Sequence, residues 1–125
     1  KEETNPNPLD LPLKGVRVVD RGVIWAGPTA AWLLGILGAE VIHIDNPHHP
    51  PDFSRGFVMW PTKEGLERPA ARSNYPRGKP GERPWNRASF YTRALWNRLS
   101  CCIDISRPQG KEVFKRLIQK TDIFL

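Results

Sequence analysis

Two carboxylates stand where short β-branched runs end: Asp20 follows Val16, Val18 and Val19, and Asp45 follows Val41, Ile42 and Ile44. The carboxyl end of a strand is where open parallel sheets collect their ligands. Asp45 imitates the ribose-binding acid of dinucleotide folds, yet the elbow Asp20-Arg21-Gly22-Val23 does not supply G-x-G-x-x-G, which leaves a nicotinamide site as a minor alternative. His43 lies inside the second run, and His48 and His49 precede Pro50, Pro51 and Asp52. This cluster lacks the rigid spacing and second ligand pair of a metal centre, so no metal is assigned. Cys101 and Cys102 are adjacent on a predicted strand, so their side chains point to opposite faces and a bond between them would be strained. Two small buried hydrophobes are a better description than a redox pair.

The net charge of +6 comes from one segment. Lys63 to Arg98 holds nine Lys/Arg against three acids, while the remaining basic and acidic residues cancel. Trp60, Tyr75, Trp85, Phe90, Tyr91 and Trp96 lie in or beside it. Arginines interleaved with aromatics suit three roles: pairing and stacking with nucleic acid, gripping the phosphates of a nucleotide-like cofactor, or forming a solvated loop.

The elements that must position these groups follow from the apolar pattern. A strand near 16–20 leads through an elbow from Gly22 to Gly27 into an apolar helix, Ala30 to Leu37, which is opened by Pro28 and closed by Gly38. With Trp32, Leu33, Leu34 and Ile36 around it, this helix is expected to be buried on several sides. A second strand near 40–44 follows. Eight of the thirteen prolines fall between Pro47 and Pro84, so Asn46 to Arg87 reads as an extended and mobile loop insertion, with a helical turn near Phe90 to Trp96 beyond it. A third strand near 101–105 feeds a helix from Pro108 to Lys120. Its core face is Val113, Phe114, Leu117 and Ile118, and a fourth strand lies near 122–125. Strands alternating with helices predict an α/β, Rossmann-like parallel sheet.

Hydrophobic content is 39%, and no apolar run approaches the roughly 20 residues that span a bilayer. Lys1 to Asp10 is a polar tail without the apolar core of a signal peptide, ahead of a partial Rossmann-like domain over 11–125 with its loop insertion at 46–87. With two non-bonded cysteines, a reducing cytoplasm fits.

The segments LPLKGVRVVD from Leu11, AGP at Ala26 to Pro28 and LGAEVIHID from Leu37 resemble the start of class III CoA-transferases. That family includes formyl-CoA and carnitine CoA-transferases and, by similarity, the alpha-methylacyl-CoA racemases. A second block, Asn97 to Ser100 followed by CIDISRPQGKEVFKRLIQKTDIF, is similar to the family's "N-K-x-S…LDL-x-x-P-x-G…F-x-x-L…ADV" stretch. Two blocks in order make the resemblance specific, and it covers the family's N-terminal portion.

The resemblance implies that coenzyme A, as acyl-CoA, is the substrate, with Val23, Ile24, Trp25 and Ala26 touching its thioester end. Asn46, after the second-strand acid, stands where an Arg or Pro commonly helps to grip the adenosine. Ser106 occupies the place of a lysine that contacts the nucleotide, with the cation Arg107 next in line. Arg98 keeps one cation of the family's "N-R-N-K" segment. The resemblance also implies transfer of CoA from an acyl-CoA to a carboxylic acid through an aspartate nucleophile expected beyond Leu125. No catalytic residue is therefore assigned here, and the chain is expected to be an inactive N-terminal fragment. The racemase branch and a basic phosphate- or nucleic-acid-binding module are the alternatives, with nucleic acid ranked below CoA. No membrane partner is expected, and a homo-oligomer is.

Overall fold

The computed structural model describes residues 10–46, 48, 62–67 and 73–125. The tail 1–9 and much of the long insertion, including His49, Asp52, Trp60, Arg68 and Arg72, lie outside the described residues. Four strands pair in parallel: β1 (Arg17–Asp20), β2 (Glu40–Asp45), β3 (Leu99–Cys102) and β4 (Ile123–Phe124), in spatial order β3-β2-β1-β4. The described helices are α1 (Ala26–Ile36), α2 (Lys63–Glu67), α3 (Ser89–Ala94) and α4 (Pro108–Ile118). The strand order reverses beside β1, because the chain steps outward to β2 and β3 and then returns through α4 to β4. In a doubly wound sheet that reversal opens the crevice in which ligands sit.

Strand alternation sends successive side chains to opposite faces, and each face has its own core. Val18, Ala31, Ala39 and Val41 pack together under α1. Val19, Ile44 and Ile103 pack with Phe114, Leu117 and Ile118 of α4 on the other side. β4 is tied to β1 at both ends. Arg17 N–H donates to the Asp122 carboxylate at 2.8 Å, and Arg21 N–H donates to the Leu125 carbonyl at 2.9 Å.

The end of α1 explains why the second strand starts where it does. Gly38, at φ +105°, takes the left-handed position that a side chain would strain. Its N–H bonds to the Gly35 carbonyl, and Ala39 N–H reaches back to the Leu34 carbonyl, a pairing that closes a helix and turns the chain into β2. Asn97, itself at φ 55°, donates from its side-chain amide to the Gly35 carbonyl at 3.0 Å. The approach to β3 is thereby pinned to the end of α1.

The structure departs from the sequence reading at several places, one of which is Cys102, read as a small buried hydrophobe and in fact exposed. α1 is not buried all round: Pro28, Ala31 and Gly35 face inward, while Leu33, Ile36 and Leu37 are about half exposed. An all-apolar helix carries no periodic signal to say which side meets the sheet, and the small residues allow the closest approach. β3 begins at Leu99 instead of Cys101 and ends at Cys102, although Ile103 N–H still donates to the Asp45 carbonyl at 3.0 Å. It stops there because the Asp104 carboxylate captures Ser106 N–H and O–H at 3.0 and 2.6 Å and turns the backbone. Val113 is 43% exposed and leaves the core face of α4 to Phe114, Leu117 and Ile118. Within the loop expected to be extended, α2 and the 3-10 turns Pro76–Gly78 and Pro84–Asn86 are helical. Tyr75 and Pro84 are buried there, and Ser89 N–H donates to the Asn74 carbonyl at 2.7 Å.

Candidate functional site

The carboxyl ends of β1, β2 and β3 gather most of the chemistry-bearing residues. Asp20, the last residue of β1, is fully buried, and its two oxygens organise the edge. Oδ1 accepts Gly22 N–H at 2.7 Å, which starts the elbow. Oδ2 faces His43 Nδ1 at 2.9 Å and also accepts a hydrogen bond from the Arg98 guanidinium. Arg98 reaches this point from the residue before β3, and its side chain is only 2% exposed. It donates in addition to the Pro28 carbonyl in the first turn of α1. Burial pulls the Arg98 guanidinium below its ordinary pKa, and the Asp20 charge opposes that pull. One arginine thus ties β3, β1 and α1 together.

Gly22 and Gly27 let the elbow close tightly. A Cβ on Gly22 would lie 2.5 Å from Pro28 Cδ and 2.8 Å from Gly27 Cα, distances no side chain tolerates. Between the two glycines, Val23, Ile24, Trp25 and Ala26 are exposed on the rim. Trp25 is held from outside: its ring meets Phe90 edge-on at 4.8 Å, and the Arg93 guanidinium lies over it at 5.1 Å. The first intrahelical bond of α1 runs from Thr29 N–H to the Trp25 carbonyl, so the N–H groups of Ala26 and Gly27 precede the helical ladder.

At the end of β2, Asp45 and Asn46 are buried. Ser100 Oγ donates to the Asp45 carboxylate at 3.4 Å, and Asn46 Oδ1 accepts His48 N–H at 2.9 Å. Beyond β3, Asp104 sits 3.2 Å from Arg107 Nε and 3.7 Å from His48 Nε2. Hydrogen bonds from Ser106 first, then the charges of His48 and Arg107, hold its carboxyl below the usual range. Arg107 keeps most of its side chain exposed.

The residues nominated from sequence therefore separate into two groups. Val23, Ile24, Trp25, Ala26, Asn46, Ser106 and Arg107 lie at the carboxyl edge, whereas Arg98 is inside the sheet face against Asp20. Sequence reasoning missed the Asp20–His43–Arg98 cluster and the cation–π contacts of Arg93 with Trp25 and Phe90. The only available signal was parity: Asp20, His43 and Ser100 share one face by strand register. Among the described residues, no group of three His, Cys, Asp or Glu side chains is placed to hold a metal ion. No described helix is long and apolar enough to cross a membrane.

The family model for CoA-transferase family III matches residues 13–125. The chain belongs to CoA-transferase family III. The bile acid CoA-transferase BaiK of Clostridium scindens is 32% identical over 90% of this chain and 18% of its own length. Formyl-CoA:oxalate CoA-transferase of Bradyrhizobium is 29% identical over 90% of this chain and 21% of its own length. In three dimensions, the crystal structure of a CAIB/BAIF family protein from Brucella suis superposes with a TM-score of 0.65 at 25% identity, covering 92% of this chain and 25% of that one. As a CoA-transferase family III chain, this one spans about a fifth to a quarter of the length of the relatives it matches.

Proposed function

We propose that this chain supplies the CoA-binding face of an enzyme that moves coenzyme A from an acyl-CoA to a carboxylic acid. The observation that carries the proposal is the family match over 13–125 together with an exposed elbow, Val23 to Ala26, at the point where the strand order reverses. The thioester end of CoA would lie along that elbow, beside the N-terminus of α1, whose dipole favours negative charge developing on the carbonyl oxygen. Arg107, with its exposed side chain, would meet the nucleotide phosphates, and Ser106 and Asn46 would shape the adjoining edge. Arg98 is proposed to act at one remove, holding Asp20 and therefore the elbow.

In the proposed reaction an enzyme carboxylate attacks the acyl-CoA carbonyl. The C–S bond breaks, giving a mixed anhydride and CoA thiolate, which then attacks the enzyme acyl carbon to leave an enzyme–CoA thioester and the free acid. The acceptor acid completes the exchange in reverse. Asp20, Asp104 and Asp122 are poor candidates for the nucleophile, which needs a desolvated carboxylate held against the carbonyl. Asp20 is bound by Arg98 and Gly22, Asp104 by Ser106, and Asp122 by Arg17 N–H. By the family resemblance the nucleophile is proposed to come from another part of the protein, and this chain by itself is expected to be inactive. A cytoplasmic location accords with the free thiols of Cys101 and Cys102.

Calorimetric titration separates this function from binding of nucleic acid through the basic segment. Expected is CoA binding in preference to a single-stranded oligonucleotide of unrelated sequence, with shallow dependence on salt. Oligonucleotide binding that falls steeply with salt, without CoA binding, would refute the proposal.

A further inference from the structure

Beside the elbow lies a hollow of about 280 Å³, walled by Ile24, Trp25, Thr29, Trp32, Phe90 and Arg93. Its composition is uneven in a useful way. Three aromatic rings and an isoleucine make it apolar, and one cation stands among them. The Arg93 guanidinium lies 5.1 Å from the centre of the Trp25 ring and 5.4 Å from that of Phe90. Among the described residues, no carboxylate forms an ion pair with Arg93. Cation–π contact with both rings holds the guanidinium at this corner and leaves its N–H fork to be satisfied by water or by an anion. Trp25 and Phe90 meet at 78°, so the walls form a corner.

We infer that this hollow is a binding site for a small carboxylic acid with an apolar body, its carboxylate paired with Arg93 and its apolar body against Trp25, Trp32 and Phe90. A bidentate arginine–carboxylate pair supplies direction, and the rings supply the contact area. The volume is at the small end of the range for ligand pockets, which favours an acid carrying one ring or a branched aliphatic group. Two other ligand types fit less well. A neutral apolar molecule would leave the cation unused, and a short polar acid such as acetate would leave the rings bare. If the transferase reading holds, on which this role rests, the site receives the acceptor acid or the acyl group next to the thioester, and Arg93, Trp32 and Phe90 set which acids are taken.

The test is a titration of the purified protein with phenylacetate, phenylacetamide and acetate, followed by the indole N–H signals of Trp25 and Trp32 and the Nε–H of Arg93. Phenylacetate is expected to bind at least tenfold more tightly than either of the others and to move these three signals together. Arg93→Met should lower phenylacetate affinity about tenfold and abolish its advantage over the amide, whereas Arg93→Lys should keep part of that advantage. Arg93 is on the surface, so both variants should retain the native spectrum elsewhere. Equal affinity for acid and amide, or shifts confined to other residues, would overturn the assignment. A parallel titration with CoA keeps the two proposals apart. CoA binding without acid selectivity would remove the acid site and leave the transferase reading standing, while acid selectivity without CoA binding would support the site and remove its transferase role.

Discussion

Among the described residues, Asp20 joins β1, β2, the elbow and Arg98 at one buried point. It accepts from a backbone N–H and a buried guanidinium, and it faces His43 Nδ1 at 2.9 Å. Asp20→Asn is expected to cost about 3–5 kcal/mol in denaturant unfolding, because Arg98 would remain buried without a counter-charge. Arg98→Met should cost less, since Asp20 keeps Gly22 and His43. The reverse ranking would contradict this picture of the cluster. Asp104 offers a second check at the same scale. Its pKa is depressed in the folded state, so its contribution to stability is present above the ordinary carboxylate range and is lost as pH falls through the folded value. Ser106→Ala removes the strongest cause, and the Asp104 carboxyl should titrate at higher pH in an NMR series. An unchanged titration would show that the hydroxyl is not the cause. The elbow and the aspartates ending β1 and β2 were legible in the sequence, because the residue types and a strand–turn–helix pattern coincide there. The partnership of Asp20 with Arg98, 78 residues away, was not. It depends on strand order, which no local pattern reveals.

Elements were legible where one period dominated. β1 and β2 read as short β-branched runs, and α4 as an amphipathic helix opened by Pro108. β3 was displaced in the sequence reading because Leu99 and Ser100 carry no strand signal, while Ile103, Asp104 and Ile105 imitate one. Side-chain capture by Asp104 overrides that imitation. The close seating of α4 on this turn can be tested through Gly110, where a Cβ would overlap the Asp104 carbonyl oxygen. An exposed helical glycine replaced by alanine gains up to about 1 kcal/mol. Gly110→Ala should instead lose about 1–3 kcal/mol, as overpacked sites do. A stabilised variant would mean that α4 can move away from β3 without penalty.

At the scale of the whole molecule, the sheet order and the two cores account for the fold, but several large apolar side chains remain uncovered. Leu33 and Ile36 on α1, Leu37 just after it, and Leu99 and Phe124 on the outer strands are each about half exposed. Apolar surface on this scale favours association. The protein is expected to sediment above its 14.3 kDa monomer mass at tens of micromolar, and a stable monomer there would refute the expectation. The central claim is the CoA site at the carboxyl ends of the strands, and backbone amide shift mapping with CoA tests it most directly. Saturable shifts are expected at Gly22 to Ala26, Asn46, Ser106 and Arg107, with the amides of α2 unmoved. Saturable shifts confined to α2 and the 3-10 turns, or no saturable shift at millimolar CoA, would contradict it.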